Sequence, residues 1–183
     1  MPRNLEIKVQ VASLAPYRRR IAACPGCRRA AVVRQADHYF HVARGYLKLR
    51  VVRGGASELI FYERPKRKGA RESRYLTWPV DDPDTALRLL AAALGVETVV
   101  RKTREVYLVD GARVHLDRVA ALGTFVEIEV LMERAGRRSA RLMRELRDSL
   151  QLPATSMPGS YRDLPGPTGE TRKTGKLSGV RRL

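Results

Sequence analysis

Apolar and polar side chains alternate along much of the chain between residues 4 and 132, which is the period of a half-buried β-strand. Within residues 4–11, every second side chain is apolar and those between are polar or charged. Similar runs lie at 33–42, 46–53, 57–64, 74–80, 97–109, 113–119 and 124–132. Gly54-Gly55 and Asp110-Gly111 separate neighbouring runs and favour tight hairpins. The pattern therefore predicts about eight strands.

Three segments between or after these runs have helical patterns: residues 13–33, 81–95 and 139–150. The first has a basic face and is expected to break at Pro25-Gly26. The second begins with acidic residues and ends at a glycine, which are common marks of helix ends. The third carries leucine and methionine on one stripe, which is typical of a helix packed on a core.

Length and composition favour one folded domain. The chain has 183 residues, of which 44% are hydrophobic and 30% are charged. Residues 165–183 are rich in Gly, Pro, Thr and Lys, so we expect a domain at 1–164 followed by a basic, disordered tail. The longest apolar stretch is far shorter than the roughly 20 residues of a membrane span, and the first residues contain no hydrophobic signal core. We therefore expect a cytoplasmic protein with no membrane partner.

The net charge indicates which classes of molecule the protein is expected to bind. There are 36 Lys and Arg residues against 19 Asp and Glu residues, a net charge of +17. This excess predicts attraction to polyanions such as nucleic acid, an anionic membrane or phosphorylated small molecules. The tail holds five of the basic residues and one glutamate, so most of the excess belongs to the predicted domain.

Cys24 and Cys27 form a C-P-G-C motif, which occurs in redox pairs and in half of some zinc sites. Zinc would need two further ligands, and the histidines are His38, His41 and His115. A thioredoxin-like motif would follow a strand, whereas an arginine-rich segment precedes this one. We interpret the two thiols as structural or incidental.

The polar faces of the predicted strands are densely charged. On one run, Arg113, His115 and Asp117 alternate with Val114 and Leu116. If the strands close into an antiparallel barrel with helices outside, the charged faces point inward and form a tunnel. The inward cations would be Lys8, Lys48, Arg50, Arg64, Lys102, Arg104 and Arg113, and the inward carboxylates Glu6, Asp117, Glu127 and Glu129.

Cations outnumber carboxylates in this predicted tunnel. Like charges about 4 Å apart repel by roughly 4 kcal/mol even at an effective dielectric constant of about 20, so a bound polyphosphate would relieve the repulsion. Glu127 and Glu129 present two carboxylates on one strand face, and such oxygen ligands can hold a divalent ion that bridges protein and phosphate. The predicted tunnel therefore suits a phosphorylated anion and a metal ion.

Six segments resemble the CYTH domain, the triphosphate tunnel group that includes class IV adenylyl cyclases and thiamine triphosphatases. They are NLEIK, DHYFHVARGYLKLR, ELIFYERP, VRKTR, RVHLD and FVEIEV, with SYRDL near the closing segment. The resemblance covers about residues 3 to 164. It implies an α+β fold built on an eight-stranded antiparallel closed tunnel barrel, and chemistry on a triphosphate that depends on Mg²⁺ or Mn²⁺.

The resemblance also implies roles for particular positions. Glu6 and Lys8 match the last two members of the family's E-x-E-x-K signature, and the first member is Asn4 here, which removes one negative charge. By the same resemblance, the K-x-R strand corresponds to Lys48 and Arg50, and the late metal-binding E-x-E to Glu127 and Glu129. From the tunnel and the resemblance together, we expect Glu6, Asp117, Glu127 and Glu129 as metal ligands.

Three functions follow from these observations. The first is a metal-dependent hydrolase of inorganic triphosphate, thiamine triphosphate or a nucleoside triphosphate, with Lys8 and Arg50 as catalytic residues. The second is a cyclase that makes cyclic AMP from ATP. The third is a binding module for polyphosphate, nucleotide or RNA, in which RNA contacts the basic surface and tail. No stacking motif of an RNA-recognition domain occurs, which disfavours sequence-specific RNA reading. The sequence is also compatible with a homodimer.

Overall fold

A computed structural model describes residues 1–63, 65, 69–132 and 136–164 of the chain. Eight strands form a closed barrel in the order β1-β5-β4-β3-β2-β6-β7-β8, in which every neighbouring pair is antiparallel. The strands are β1 (Arg3–Val11), β2 (Arg28–Phe40), β3 (Tyr46–Val52), β4 (Ser57–Glu63), β5 (Arg71–Val80), β6 (Val96–Val109), β7 (Ala112–Val119) and β8 (Gly123–Leu131). The helices are α1 (Ala15–Ala22), α2 (Pro83–Leu94) and α3 (Arg137–Ser149). The predicted fold class is confirmed.

The first strand closes the barrel. β1 pairs with β8 along eight residues, from Asn4 opposite Leu131 to Val11 opposite Thr124, and with β5 on its other side. Both predicted hairpins are present. Gly54 has φ +69°, and Asp110 and Gly111 have φ +49° and +81°, which is the backbone twist that tight antiparallel hairpins require.

On most strands the apolar face points out of the barrel, where helices cover one side of it, whereas Ile60 of β4 faces the interior. Ile7, Val126 and Ile128 are almost fully buried and belong to one apolar cluster. The helical members of this cluster are Tyr17, Ile21, Met143 and Leu146. Because strand side chains alternate, this outward core forces the polar residues between them into the barrel.

The predicted helix at 13–33 is wrong in its second half. α1 ends at Ala22, and Gly26 has φ +74°, a left-handed conformation that turns the chain. β2 then begins at Arg28 and pairs with β6 as far as Phe40. Arg28, Arg29 and Arg34 are exposed residues of this long strand, and pairing with β6 outweighs the helical spacing of the segment.

The other predicted helices are confirmed. The Asp82 carboxylate accepts a hydrogen bond from the Thr85 amide at 3.0 Å and caps α2, and Gly95 ends this helix at φ +72°. No helix in the described part of the chain is long and apolar enough to cross a membrane. The predicted tail, residues 165–183, lies outside the described residues.

Candidate functional site

A cavity of about 330 Å³ occupies the barrel interior. Among the described residues, its charged lining consists of Lys8, Lys48, Arg50, Lys102, Arg104, Arg113, Glu6, Glu58, Glu127 and Glu129. The structure therefore brings together nine of the eleven residues that the strand pattern pointed inward. Arg64 lies outside the described residues, and Asp117 is fully buried beside Arg104 instead of lining the cavity.

The cavity has a charged wall and a neutral wall. Most of the cations and carboxylates come from β1, β3, β6, β7 and β8. The neutral wall comes mainly from β4 and β5, with Ile60, Tyr62, Tyr75 and Thr77. A bound molecule would therefore meet phosphate-binding groups on one side and aromatic and hydroxyl groups on the other.

Asp37 organises three of the cations. Its carboxylate lies 3.1 Å from Lys48 Nζ, 2.9 Å from Arg50 Nε and 3.4 Å from Lys102 Nζ, and it is fully buried. Burial alone would raise the pKa of this carboxyl group, but the positive charges of Arg50, Lys48 and Lys102 hold it well below the usual range. Asp37 therefore fixes the positions of three cations that face the cavity.

Sequence reasoning missed Asp37. It lies on β2, opposite Arg50 on β3 and Val100 on β6. Asp37 lies in the predicted strand at 33–42 and is the first residue of the family-like segment DHYFHVARGYLKLR, but neither feature showed that it faces the tunnel. Its three cationic partners become visible only once β2 has been placed between β3 and β6.

Arg104 organises the carboxylates. It donates to both oxygens of Asp117, at 2.7 and 2.6 Å, and to Glu127 Oε2 at 2.6 Å. The other oxygen of Glu127 lies 2.7 Å from Lys8 Nζ, and the Tyr161 hydroxyl donates to Asp117 at 2.6 Å. Asp117, predicted as a metal ligand, thus anchors Arg104 and Tyr161 in this structure.

His115, Glu127 and Glu129 form the one group in the described residues that could hold a metal ion. A ligand atom from each of the three lies within 4.8 Å of the others. Two of these residues were predicted metal ligands, and His115 was predicted only to face inward. Burial, together with the charge of Arg104, lowers the pKa of His115 and favours the neutral ring, which can bind a metal. The donor set therefore fits one divalent ion.

Glu6, the remaining predicted ligand, lines the cavity beside Glu129 and is bonded to Arg71. It pairs with Glu129 in the register of β1 and β8, and its carboxylate accepts a hydrogen bond from Arg71 Nε at 3.3 Å. Arg71 is fully buried and also donates to the carbonyl oxygens of Met157 and Gly159. Asn4, which stands where the resemblance places a glutamate, also lines the cavity.

The segment that follows α3 completes the cavity wall. The Tyr161 ring lies 4.0 Å from Lys8 Nζ and 4.8 Å from Lys102 Nζ, measured to the ring centroid. Ser160 Oγ is within hydrogen-bond distance of the hydroxyls of Tyr39 and Tyr62, at 3.1 and 3.2 Å. The composition change after Leu164 and the likeness of SYRDL to a family motif placed this segment in the predicted domain, but its contacts were not predicted.

We predict that the free energy of unfolding increases between pH 7 and pH 9. Burial, together with the charge of Arg104, lowers the pKa of Lys102 from 10.5 to about 7, and burial with Arg50 lowers that of Lys48 to about 8. Lysine in the unfolded chain keeps its proton up to about pH 10.5, so between pH 7 and pH 9 the unfolded state binds more protons than the folded state. Raising the pH therefore disfavours the unfolded state relative to the folded one. Urea titrations at the two pH values measure the change. Lys102→Met should reduce the increase, whereas a constant or falling stability in the wild type would contradict the prediction.

The comparisons with known proteins agree with this fold. The CYTH domain family matches residues 3–161. The PH1012 protein from Pyrococcus horikoshii has a similar structure, with a TM-score of 0.78 and 25% identity over 86% of this chain and 96% of its own. A conserved hypothetical protein from Pyrococcus furiosus has a TM-score of 0.77, with 23% identity over 86% of this chain and 97% of its own.

A candidate adenylate cyclase from Vibrio parahaemolyticus shares the fold at a TM-score of 0.71, with 18% identity over 87% of this chain and 95% of its own. A search of the curated proteins finds no match. Because the family match spans most of the sequence, this chain belongs to the CYTH family. Members of this family are metal-dependent enzymes that bind triphosphate substrates.

Proposed function

We propose that this protein is a metal-dependent hydrolase that removes the terminal phosphoryl group of a triphosphate compound in its tunnel. The observation that carries the proposal is the arrangement of six cations around one cavity, with Glu127 and Glu129 on the same charged wall and His115 buried beside them. A triphosphate carries several negative charges along one short chain, and such a distribution of cations can contact all of them.

The residues divide into three roles in this proposal. Lys48, Lys102 and Arg104 bind phosphate oxygens, joined by Arg113 at the exposed rim and by Arg64, whose placement is not described. Lys8 and Arg50 stabilise the charge that develops on the transferred phosphoryl group. Glu127 and Glu129 hold a Mg²⁺ or Mn²⁺ ion, with Glu6 beside them on the adjacent strand. When bound, such an ion supplies Lewis-acid charge and lowers the pKa of a coordinated water.

Cyclisation of ATP is the second candidate, and the neutral wall of the cavity favours it. Tyr39, Tyr62 and Tyr75 line the cavity with Ile60 and Thr77, and this surface could contact an organic group attached to the phosphates. An inorganic triphosphate would leave that wall unused. The same surface also fits hydrolysis of an organic triphosphate, so the reaction products must decide.

The deciding experiment is a product panel. The protein is incubated with inorganic triphosphate, thiamine triphosphate and ATP, each with Mg²⁺ or Mn²⁺, and assayed for phosphate, pyrophosphate and cyclic AMP. Phosphate release supports hydrolysis, and pyrophosphate with cyclic AMP supports cyclisation. No product from any substrate would overturn both enzyme proposals and leave a binding module for polyphosphate, nucleotide or RNA.

We predict that inorganic triphosphate stabilises the folded protein more than sulfate of the same ionic strength does. The ligand at a hundred times its dissociation constant adds about 2.7 kcal/mol to the free energy of unfolding. For a chain of this length the melting temperature should rise by roughly 5 to 11 °C. Differential scanning calorimetry measures the shift, and equal shifts with the two anions would argue against a triphosphate site.

Glu129→Gln should reduce turnover by about a hundredfold while leaving the fold intact. The side chain faces the cavity and is 18% exposed, so the amide loses a metal-binding charge without loss of core packing. Glu72→Gln is the matched control, because Glu72 is a partly exposed residue of β5 that pairs with Arg3 and Arg74 instead of lining the cavity. Steady-state kinetics with circular dichroism test this, and a wild-type rate in Glu129→Gln would remove this residue from the site.

A further inference from the structure

The candidate metal group contains a nitrogen donor. His115 on β7 stands directly opposite Glu127 on β8, and its Nδ1 lies 3.4 Å from Glu127 Oε2 and 3.8 Å from Glu129 Oε1. Adjacent ligands around an octahedral ion with bonds of about 2.1 Å lie about 3 Å apart. The three atoms lie within 4.8 Å of one another, so a contraction of up to about 2 Å would bring all of them into the first coordination sphere of one ion.

The surroundings hold these three atoms in place. His115 and Glu127 are 3% and 4% exposed, and Arg104 and Lys8 each bond one oxygen of Glu127. Each carboxylate oxygen has a second lone pair, so these bonds leave Glu127 able to bind a metal. A short strand pairing, not a flexible loop, sets the distance between the histidine and the two glutamates.

We propose that His115 is a metal ligand and that this nitrogen donor makes the tunnel site selective for a transition-metal ion, tested here as Mn²⁺, over Mg²⁺. The inference rests on the proposed metal-dependent function and specifies which ion the site takes. Mg²⁺ prefers oxygen ligands, keeps several waters and loses them reluctantly. Imidazole is a ligand of first-row transition metals, so one imidazole with two carboxylates shifts the preference towards them.

The test observes the bound ion directly. Wild-type protein is titrated with Mn²⁺ and followed by electron paramagnetic resonance, and pulsed spectra of the bound ion are searched for modulation from nitrogen. We expect nitrogen modulation that changes from the ¹⁴N to the ¹⁵N pattern when the protein is labelled with ¹⁵N-histidine. This measurement needs no substitution, so it does not depend on whether a variant folds.

Two variants identify the histidine. His115→Gln should lose the nitrogen modulation and about tenfold or more of the Mn²⁺ affinity, while the Mg²⁺ affinity from competition titrations changes less than about threefold. His41→Gln is the matched control, because His41 is exposed and lies outside the group formed by His115, Glu127 and Glu129. It should keep both the modulation and the Mn²⁺ affinity.

Three results would overturn the inference: bound Mn²⁺ without histidine modulation, equal affinity of the wild type for the two ions, or no bound Mn²⁺ at all. If His115 had only a structural role, bound Mn²⁺ would show no modulation from histidine nitrogen. None of the readouts uses turnover, so the product panel judges the hydrolase proposal separately. If His115 is not a metal ligand, hydrolysis shown by the product panel still stands. If no hydrolysis is found, a histidine ligand shown by the spectra still stands.

Discussion

Asp37→Asn should lower the free energy of unfolding by about 3–5 kcal/mol at pH 7, the range for removing one partner of a buried ion pair. The carboxylate is fully buried and compensates Lys48, Arg50 and Lys102, which lie within 3.4 Å of it. The asparagine amide keeps the size of the side chain but leaves Arg50 without its buried counter-charge. The pKa values of Lys48 and Lys102, which Asp37 raises, fall further, so these lysines must remain charged at a cost or lose their protons. Repulsion among the cations and the cost of their burial then favour the unfolded state.

Triphosphate should partly rescue this variant. Because the anion supplies the charge that Asp37 no longer provides, its stabilising effect should be larger in Asp37→Asn than in the wild type. Urea denaturation with and without inorganic triphosphate measures both values. Glu63→Gln is the control, since it breaks an exposed pair with Arg44 and should cost at most about 1 kcal/mol. A loss in Asp37→Asn no larger than that in the control would contradict the assigned role.

Arg50→Gln should reduce kcat on the preferred triphosphate by about 10²- to 10³-fold, the usual effect of removing one preorganised group that stabilises transition-state charge. Arg50 lines the cavity, and its Nε atom is held by Asp37 at 2.9 Å, so the guanidinium is oriented before the substrate binds. Glutamine retains polarity and part of the length but loses the positive charge that the proposal assigns to catalysis.

Arg53→Gln provides the matched control for this measurement. Arg53 follows β3, is exposed and is not among the cavity residues, so its loss should leave kcat within about threefold of the wild type. Steady-state kinetics on both variants, with melting curves to confirm folding, give the comparison. If Arg50→Gln behaved like Arg53→Gln, Arg50 would not be a catalytic residue.

The strand alternation predicted the face on which each charged residue lies. Lys8, Lys48 and Glu127 were assigned to the barrel interior because their neighbours along the chain are apolar, and the structure places all three at the cavity. The period of two follows from strand geometry and needs no knowledge of the partner strands. The hairpin at Asp110-Gly111 could be predicted from two residues, because its turn requires positive φ angles that Asp and Gly adopt readily.

The pairs that organise the site could not be predicted in this way. Asp37 meets Lys48 across 11 residues of sequence and Arg71 meets Glu6 across 65, and both contacts depend on strand order and register. The failed part of the helix at 13–33 has the same origin, because pairing of β2 with β6 decided the structure after Gly26.

The sequence by itself determined the class of fold, the inward face of β1, β3, β6, β7 and β8, and the cationic character of the interior. Only the tertiary structure decided that Asp117 anchors Arg104, that Asp37 holds three cations, and that His115 lies beside Glu127 and Glu129. Side-chain direction is a local property of the chain, set by backbone geometry at each residue. Distances between charges are a property of the closed barrel, because its register brings together residues that are far apart in sequence.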